Sequence, residues 1–135
     1  MSEVSLLPYA EFLGIRVVGE QDGVPLLVMP FSEGLTNLQG GLHGGAVSGL
    51  LEIAAIAAID ATLDNGEQAR AIFKPINVTV DFMRPGRPSD VYARAEVVRV
   101  GARIANVCAS AWQDDPERLI AAARMNLAIS MPVES

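Results

Sequence analysis

An α+β fold, one antiparallel sheet wrapped around a single long central helix, is what the sequence predicts. Three observations lead there. The run from Ala46 to Leu63 is apolar on nearly every side, the mark of a helix buried on most of its faces. After it the period switches to two: Ile76, Val78, Val80 and Phe82 alternate with Asn77, Thr79 and Asp81, as in a half-buried strand. The element order is helix, two strands, long helix, four strands, and one apolar helix against one sheet is a stable two-layer solution.

The elements follow in order. Leu6, Leu7, Tyr9, Ala10 and Leu13 have helical spacing, and Gly14 ends that short helix. Ile15 to Val18 and Val24 to Met29 read as strands around a turn at Gln21-Asp22-Gly23. The segment PFSEGLTNLQGGLHGG is a loop, because its glycines and Asn37 disfavour regular structure. The central helix covers about 45 to 63 and is stopped by Asp64-Asn65-Gly66. It is as long as a membrane span, but Glu52 and Asp60 interrupt it and alanine dominates it, so it reads as a core helix. Pro75 places the next strand at an edge or delays its start to Ile76. Arg84-Pro85-Gly86 turns the chain, and Val91–Val100, Ile104–Trp112 and Leu119–Ile129 complete a meander, with turns at Gly101 and Asp114-Asp115-Pro116.

The 135 residues fit a single domain spanning 1–135, and 50% of them are apolar. So small a domain cannot hide all of that surface alone, which points to a homodimer or homotetramer. The net charge of −6 argues against a dedicated nucleic-acid binder. Charge is unevenly placed, however. From Lys74 to Arg103 the balance is +3, leaving −9 for the rest. A basic segment on an acidic chain suits a small polyanionic ligand, and solvated strand faces account for it equally well. One cysteine, Cys108, excludes an internal disulfide and fits a reducing, cytoplasmic setting. The N-terminus lacks the pattern of a signal peptide. One histidine and one cysteine argue against a zinc site.

The informative segment is TNLQGGLHGGAVSGLLE, residues 36–52. His43, the only histidine, stands at the mouth of the buried helix and is followed by Gly44 and Gly45. A helix N-terminus leaves N–H groups unpartnered and favours negative charge. Glycines there let a substrate approach the backbone, and a carbonyl becoming an oxyanion would be stabilised. An ordinary Gly-rich loop with a histidine has the same local sequence. Glu52 is a lone carboxylate in AVSGLLEIAAIAAI. Apolar surroundings strip water from a carboxylate and strengthen it as a base or nucleophile, whereas a wet helical stripe would leave it inert. On one helix, nine positions separate His43 from Glu52 by about 13 Å and half a turn. They cannot touch one substrate atom within a chain. If both act, the glutamate comes from another subunit, and two-fold symmetry makes two sites.

These residues resemble the hotdog-fold thioesterases, particularly the phenylacetate-degradation type and their hydroxybenzoyl-CoA relatives. That family has Asn or Gln six residues before His-Gly-Gly and an acidic residue nine after the His, here Asn37, His43-Gly44-Gly45 and Glu52. VDFMRPG (80–86) resembles its strand ending in Arg-Pro, and VVRVGARIANV (97–107) its strand-turn-strand. The similarity runs from about 30 to 130. It implies a sheet wrapped around a helix, working dimers, and hydrolysis of acyl-CoA without metal or separate cofactor, coenzyme A being part of the substrate. By position, the Gly44 N–H would polarise the thioester carbonyl, beside Gly45. Asn37 and His43 would position substrate or hold the loop. Glu52 of the partner would attack the thioester or activate water. The carboxylate here is Glu where that branch usually has Asp. Where some members carry a helper hydroxyl, this chain has Phe73-Lys74-Pro75. Arg84, Arg99 and Arg103 are candidates for the coenzyme phosphates.

Other chemistries find less support. There is no G-x-S-x-G around Ser48, and Cys108 has no second histidine to pair with. Two alternatives on the same fold are a non-catalytic acyl-CoA binding module and a hydratase or dehydratase. The latter usually places an Asp a few residues before the His, and only Glu33 lies on that side, ten positions away.

Overall fold

The computed structural model describes residues 7–63 and 72–130. Its elements are α1 (Pro8–Leu13), β1 (Arg16–Gln21), β2 (Val24–Met29), a 3₁₀ turn (Glu33–Leu35), α2 (Gly44–Leu63), β3 (Ile72–Phe82), β4 (Val91–Val100), β5 (Ile104–Trp112) and β6 (Ala121–Ser130). The expected order holds, and the expected ranges of β2, β4 and β5 coincide with the observed ones. Gly14 ends α1 in the left-handed conformation, and Asp22-Gly23, both at positive φ, turn β1 into β2. The expected stop at Asp64-Asn65-Gly66 lies outside the described residues. The loop after β2 is less irregular than its composition suggests: besides the 3₁₀ turn, Thr36 bridges Leu42.

All six strands form one antiparallel sheet in the order β1-β2-β4-β5-β6-β3. This corrects the simple meander. Strands β4, β5 and β6 follow one another, but β3 lies beyond β6, and β4 pairs with β2 instead. The strand β3 also begins at Ile72, before Pro75. It tolerates the proline by being an edge strand and by a register shift between Pro75 and Asn77, where the missing N–H costs no ladder bond.

The sheet curls around α2. Eleven α2 residues are buried, including Leu50, Leu51, Ile53 and Ile59, and each fully buried Leu or Ile stabilises the fold by about 2 kcal/mol. Alanines on both sides set the close approach: Ala54, Ala55 and Ala58 on α2 meet a sheet face built from Ala93, Ala109, Ala111 and Ala123. A helix this apolar and long satisfies the composition of a membrane span. Here the sheet covers it. One stripe stays partly open: Gly45, Ser48, Glu52 and Ile56 repeat at helical spacing and none is fully buried.

Candidate active site

The loop before α2 is held by its own side chains. The Asn37 Oδ1 accepts the N–H of Gln39 at 2.9 Å and of Gly41 at 3.0 Å, and its Nδ2 donates to the Leu42 carbonyl at 3.3 Å. The Asn37 N–H donates to the Gly41 carbonyl at 2.7 Å. Asn37 thus closes a tight turn that presents His43. These bonds hold the loop.

His43 caps α2. Its carbonyl accepts the N–H of Ala46 and of Val47, while its side-chain Nδ1 accepts the Gly45 N–H at 2.8 Å. An imidazole nitrogen that accepts carries no proton, so the neutral ring holds its hydrogen on Nε2. His43 is exposed, and its Nε2–H is a donor beside the helix mouth. Gly45 is required for this geometry, because a Cβ there would lie 2.9 Å from the His43 ring. Gly44 is the first helical residue, whose N–H has no acceptor within a helix.

Gly44 also borders a cavity of about 380 Å³, with Leu42, Val47, Phe82, Arg84 and Ile120 on its walls. A Cβ at Gly44 would meet the Phe82 ring at 3.3 Å, so the end of β3 closes directly over the helix mouth. The Leu42 N–H donates to the Gly86 carbonyl at 3.0 Å, tying the His43 loop to the turn after β3. That turn is anchored by Gln113, the one buried polar side chain among the described residues. Its Oε1 accepts the Arg87 N–H at 3.0 Å, and its Nε2 donates to the Arg87 carbonyl at 2.9 Å and to Ser89 Oγ at 3.0 Å. Sequence reasoning passed over Gln113 and Phe82. The signal for Gln113 was a polar side chain one step past an alternating strand, on its inward side.

The structure brings Asn37, His43, Gly44, Gly45 and Arg84 to one end of the molecule. Arg84 Nη1 donates to the Leu119 carbonyl at 2.6 Å, next to the cavity. Arg99 and Arg103 lie at the opposite end of the sheet. Arg99 pairs with Asn106, near the start of β5, whereas Ala111 at its other end pairs with Ala121, which pairs with Phe82. Glu52 is more than two turns along α2 from Gly44, half-buried, on the open stripe. It forms no hydrogen bond or ion pair among the described residues. Within one chain the carboxylate and the helix mouth stay apart, as their spacing requires. Ser48 shares the stripe with Glu52, and Cys108 is partly buried on β5.

Comparison with known proteins fits this geometry. The acyl-CoA thioesterase N-terminal domain family matches residues 33–127. The chain belongs to that family. A Halobacterium salinarum protein, provisionally named an esterase, is 35% identical over 96 residues, 69% of this chain and 62% of its own length. This chain therefore spans about three fifths of that relative. A thioesterase family protein from Silicibacter pomeroyi superposes with a TM-score of 0.77 at 26% identity, over 93% of this chain and 91% of its own. A phenylacetic acid degradation-related protein from Ralstonia eutropha JMP134, provisionally called a thioesterase, gives a TM-score of 0.78 at 23% identity and 92% coverage of both chains. That last likeness speaks for the fold alone. The fold is the hotdog fold.

Proposed function

We propose that this chain is an acyl-CoA thioesterase acting at the interface of a homodimer. One observation carries the reading: the mouth of α2 is a built donor site with an adjoining cavity, and the only carboxylate on the open stripe of the same helix's middle is Glu52. The thioester oxygen sits on the Gly44 N–H, with His43 Nε2–H beside it. Glu52 of a second copy takes a proton from water as the oxygen adds to the carbonyl carbon, or adds to that carbon itself to form an acyl anhydride that water hydrolyses after the thiolate has left. The oxyanion that forms is stabilised by donors already in place. The C–S bond then breaks, the thiolate takes up a proton, and the acid departs.

The dimer is supported by β3. Its 11 residues bond to β6 on one side only. Its inward side chains Val78 and Phe82 stay exposed, at 38% and 58%. An open edge of that length invites pairing. A second copy docked β3 to β3 about a two-fold axis closes both edges, and it sets the two α2 helices side by side and antiparallel. The mouth of each then faces the middle of the other. Arg84 contacts the coenzyme phosphates from the cavity rim.

Thiol release from a panel of aryl and aliphatic acyl-CoAs tests this. Glu52→Gln keeps the fold and the dimer, and loses kcat by about a hundredfold or more. Undiminished turnover in that variant removes Glu52 from the mechanism.

A further inference from the structure

α1 packs on α2 where α2 has no side chain. A Cβ built at Gly49 would lie 3.0 Å from Tyr9 Cε2, 3.2 Å from Leu13 Cδ1 and 3.3 Å from Tyr9 Oη. The edge of the Tyr9 ring therefore fills the place of a residue-49 side chain. Glu52 is three positions further on, so its Cβ lies about 5–6 Å from that point. Helical side chains lean toward the N-terminus, which turns the Glu52 carboxylate back toward Tyr9. The Tyr9 ring stacks on Phe12, with centroids 6.3 Å and planes 12° apart. Yet the two rings are 48% and 83% exposed. An aromatic wall thus stands open beside Glu52, and Ile56 continues it one turn beyond.

We propose that Tyr9 and Phe12 seat the acyl group of the substrate and select it by size. This rests on the reading of Glu52 given above. The thioester carbon has two substituents to place. Its sulfur leads to the polar coenzyme, which suits the arginine-flanked helix mouth. Its acyl group is apolar and runs along the uncovered stripe, from the carboxylate onto the two rings. A short acyl group ends before reaching them, whereas a longer one covers both and is held by the apolar area it buries.

The test compares wild type with Tyr9→Ala, Phe12→Ala and Tyr9→Phe across straight-chain acyl-CoAs from acetyl to decanoyl. Binding of the matching non-hydrolysable thioether analogues is measured alongside by calorimetry. With Tyr9→Ala or Phe12→Ala, kcat/KM and analogue affinity fall about tenfold for the longer groups and stay within twofold for acetyl. Tyr9→Phe retains the wild-type profile. A uniform loss at every length, or no loss at any, overturns the proposal. So does Phe12→Ala protein that sediments as a monomer with an unchanged length profile, because a partner subunit then covers that ring. If wild type releases no thiol but binds the analogues with a length dependence that the alanine variants erase, the seat stands and the hydrolase reading fails. Wild-type protein that binds no analogue overturns both.

Discussion

At the N-terminal end of α2, a cavity of about 380 Å³ lies between the helix mouth, the end of β3 and the turn that follows it. Toward the other end, a recess of about 610 Å³ is lined by Gln21, Asp22, Thr62 and the strand from Arg94 to Val100. The second is larger, and it carries arginines. It has neither glycines at a helix mouth nor an unpartnered helical N–H, and Arg94 already donates to Gln21. It also faces the end of α2 where the peptide dipoles oppose negative charge. The smaller cavity has a helix opening into it, a capping histidine and a loop locked by Asn37 and Gln113. Backbone polarity separates the two places better than volume does, because an oxyanion needs fixed donors more than it needs room.

Three substitutions break or sharpen that contrast. The largest effect is expected from Gly45→Ala. Its Cβ would stand 2.9 Å from the His43 ring, so the ring must leave its cap and carry Nε2 away from the mouth. A fall of about tenfold or more in kcat/KM is expected, with about 1 kcal/mol of stability lost with the cap. Gly19→Ala, whose added carbon finds only ordinary contacts with Leu26, is the control. Equal activity in the two variants would mean that the cap does not matter to turnover.

A middle effect is expected from Gln113→Leu. It leaves the buried partners of Gln113 in the 87–89 turn without bonds, at a cost of about 2 kcal/mol. That corresponds to a fall in Tm of roughly 5–10 °C. Because the same turn holds Leu42 through Gly86, KM should rise as well. A Tm loss with unchanged KM would separate the turn from the site. The smallest effect is expected from Arg94→Ala in the larger recess, where kcat/KM should stay within about twofold, as for most surface changes. A large rise in KM there would move the substrate to the wrong end of α2 and undo the comparison.

The site was partly legible before any coordinates. His43, Gly44 and Glu52 stand out because each violates a local expectation: a lone histidine, glycines opening a helix, a carboxylate in an alanine-rich run. The impossibility of joining them within one chain follows from helix geometry alone. Phe82 was visible only as an alternating strand residue. Its place over Gly44 depends on β3 pairing with β6 rather than with β4, and no local pattern encodes that. The arginines show the same limit. Arg84, Arg99 and Arg103 look like one basic segment along the chain, but the antiparallel folding of β4 onto β5 sends the last two to the far end.

Local patterning by itself determined the elements: the apolar run that became α2, the Asp22-Gly23 turn, and the alternating strands β4 and β5 at their observed bounds. Period, capping and turn chemistry act over a few residues, so one sequence suffices to read them. The tertiary structure alone decided that β3 passes beyond β6 and starts before Pro75, that Gln113 pins the turn above the helix mouth, and that Tyr9 fills the space left by Gly49. Those outcomes rest on pairings between residues tens of positions apart. They are settled by which apolar faces can be covered together, a property of the whole packed sheet and helix.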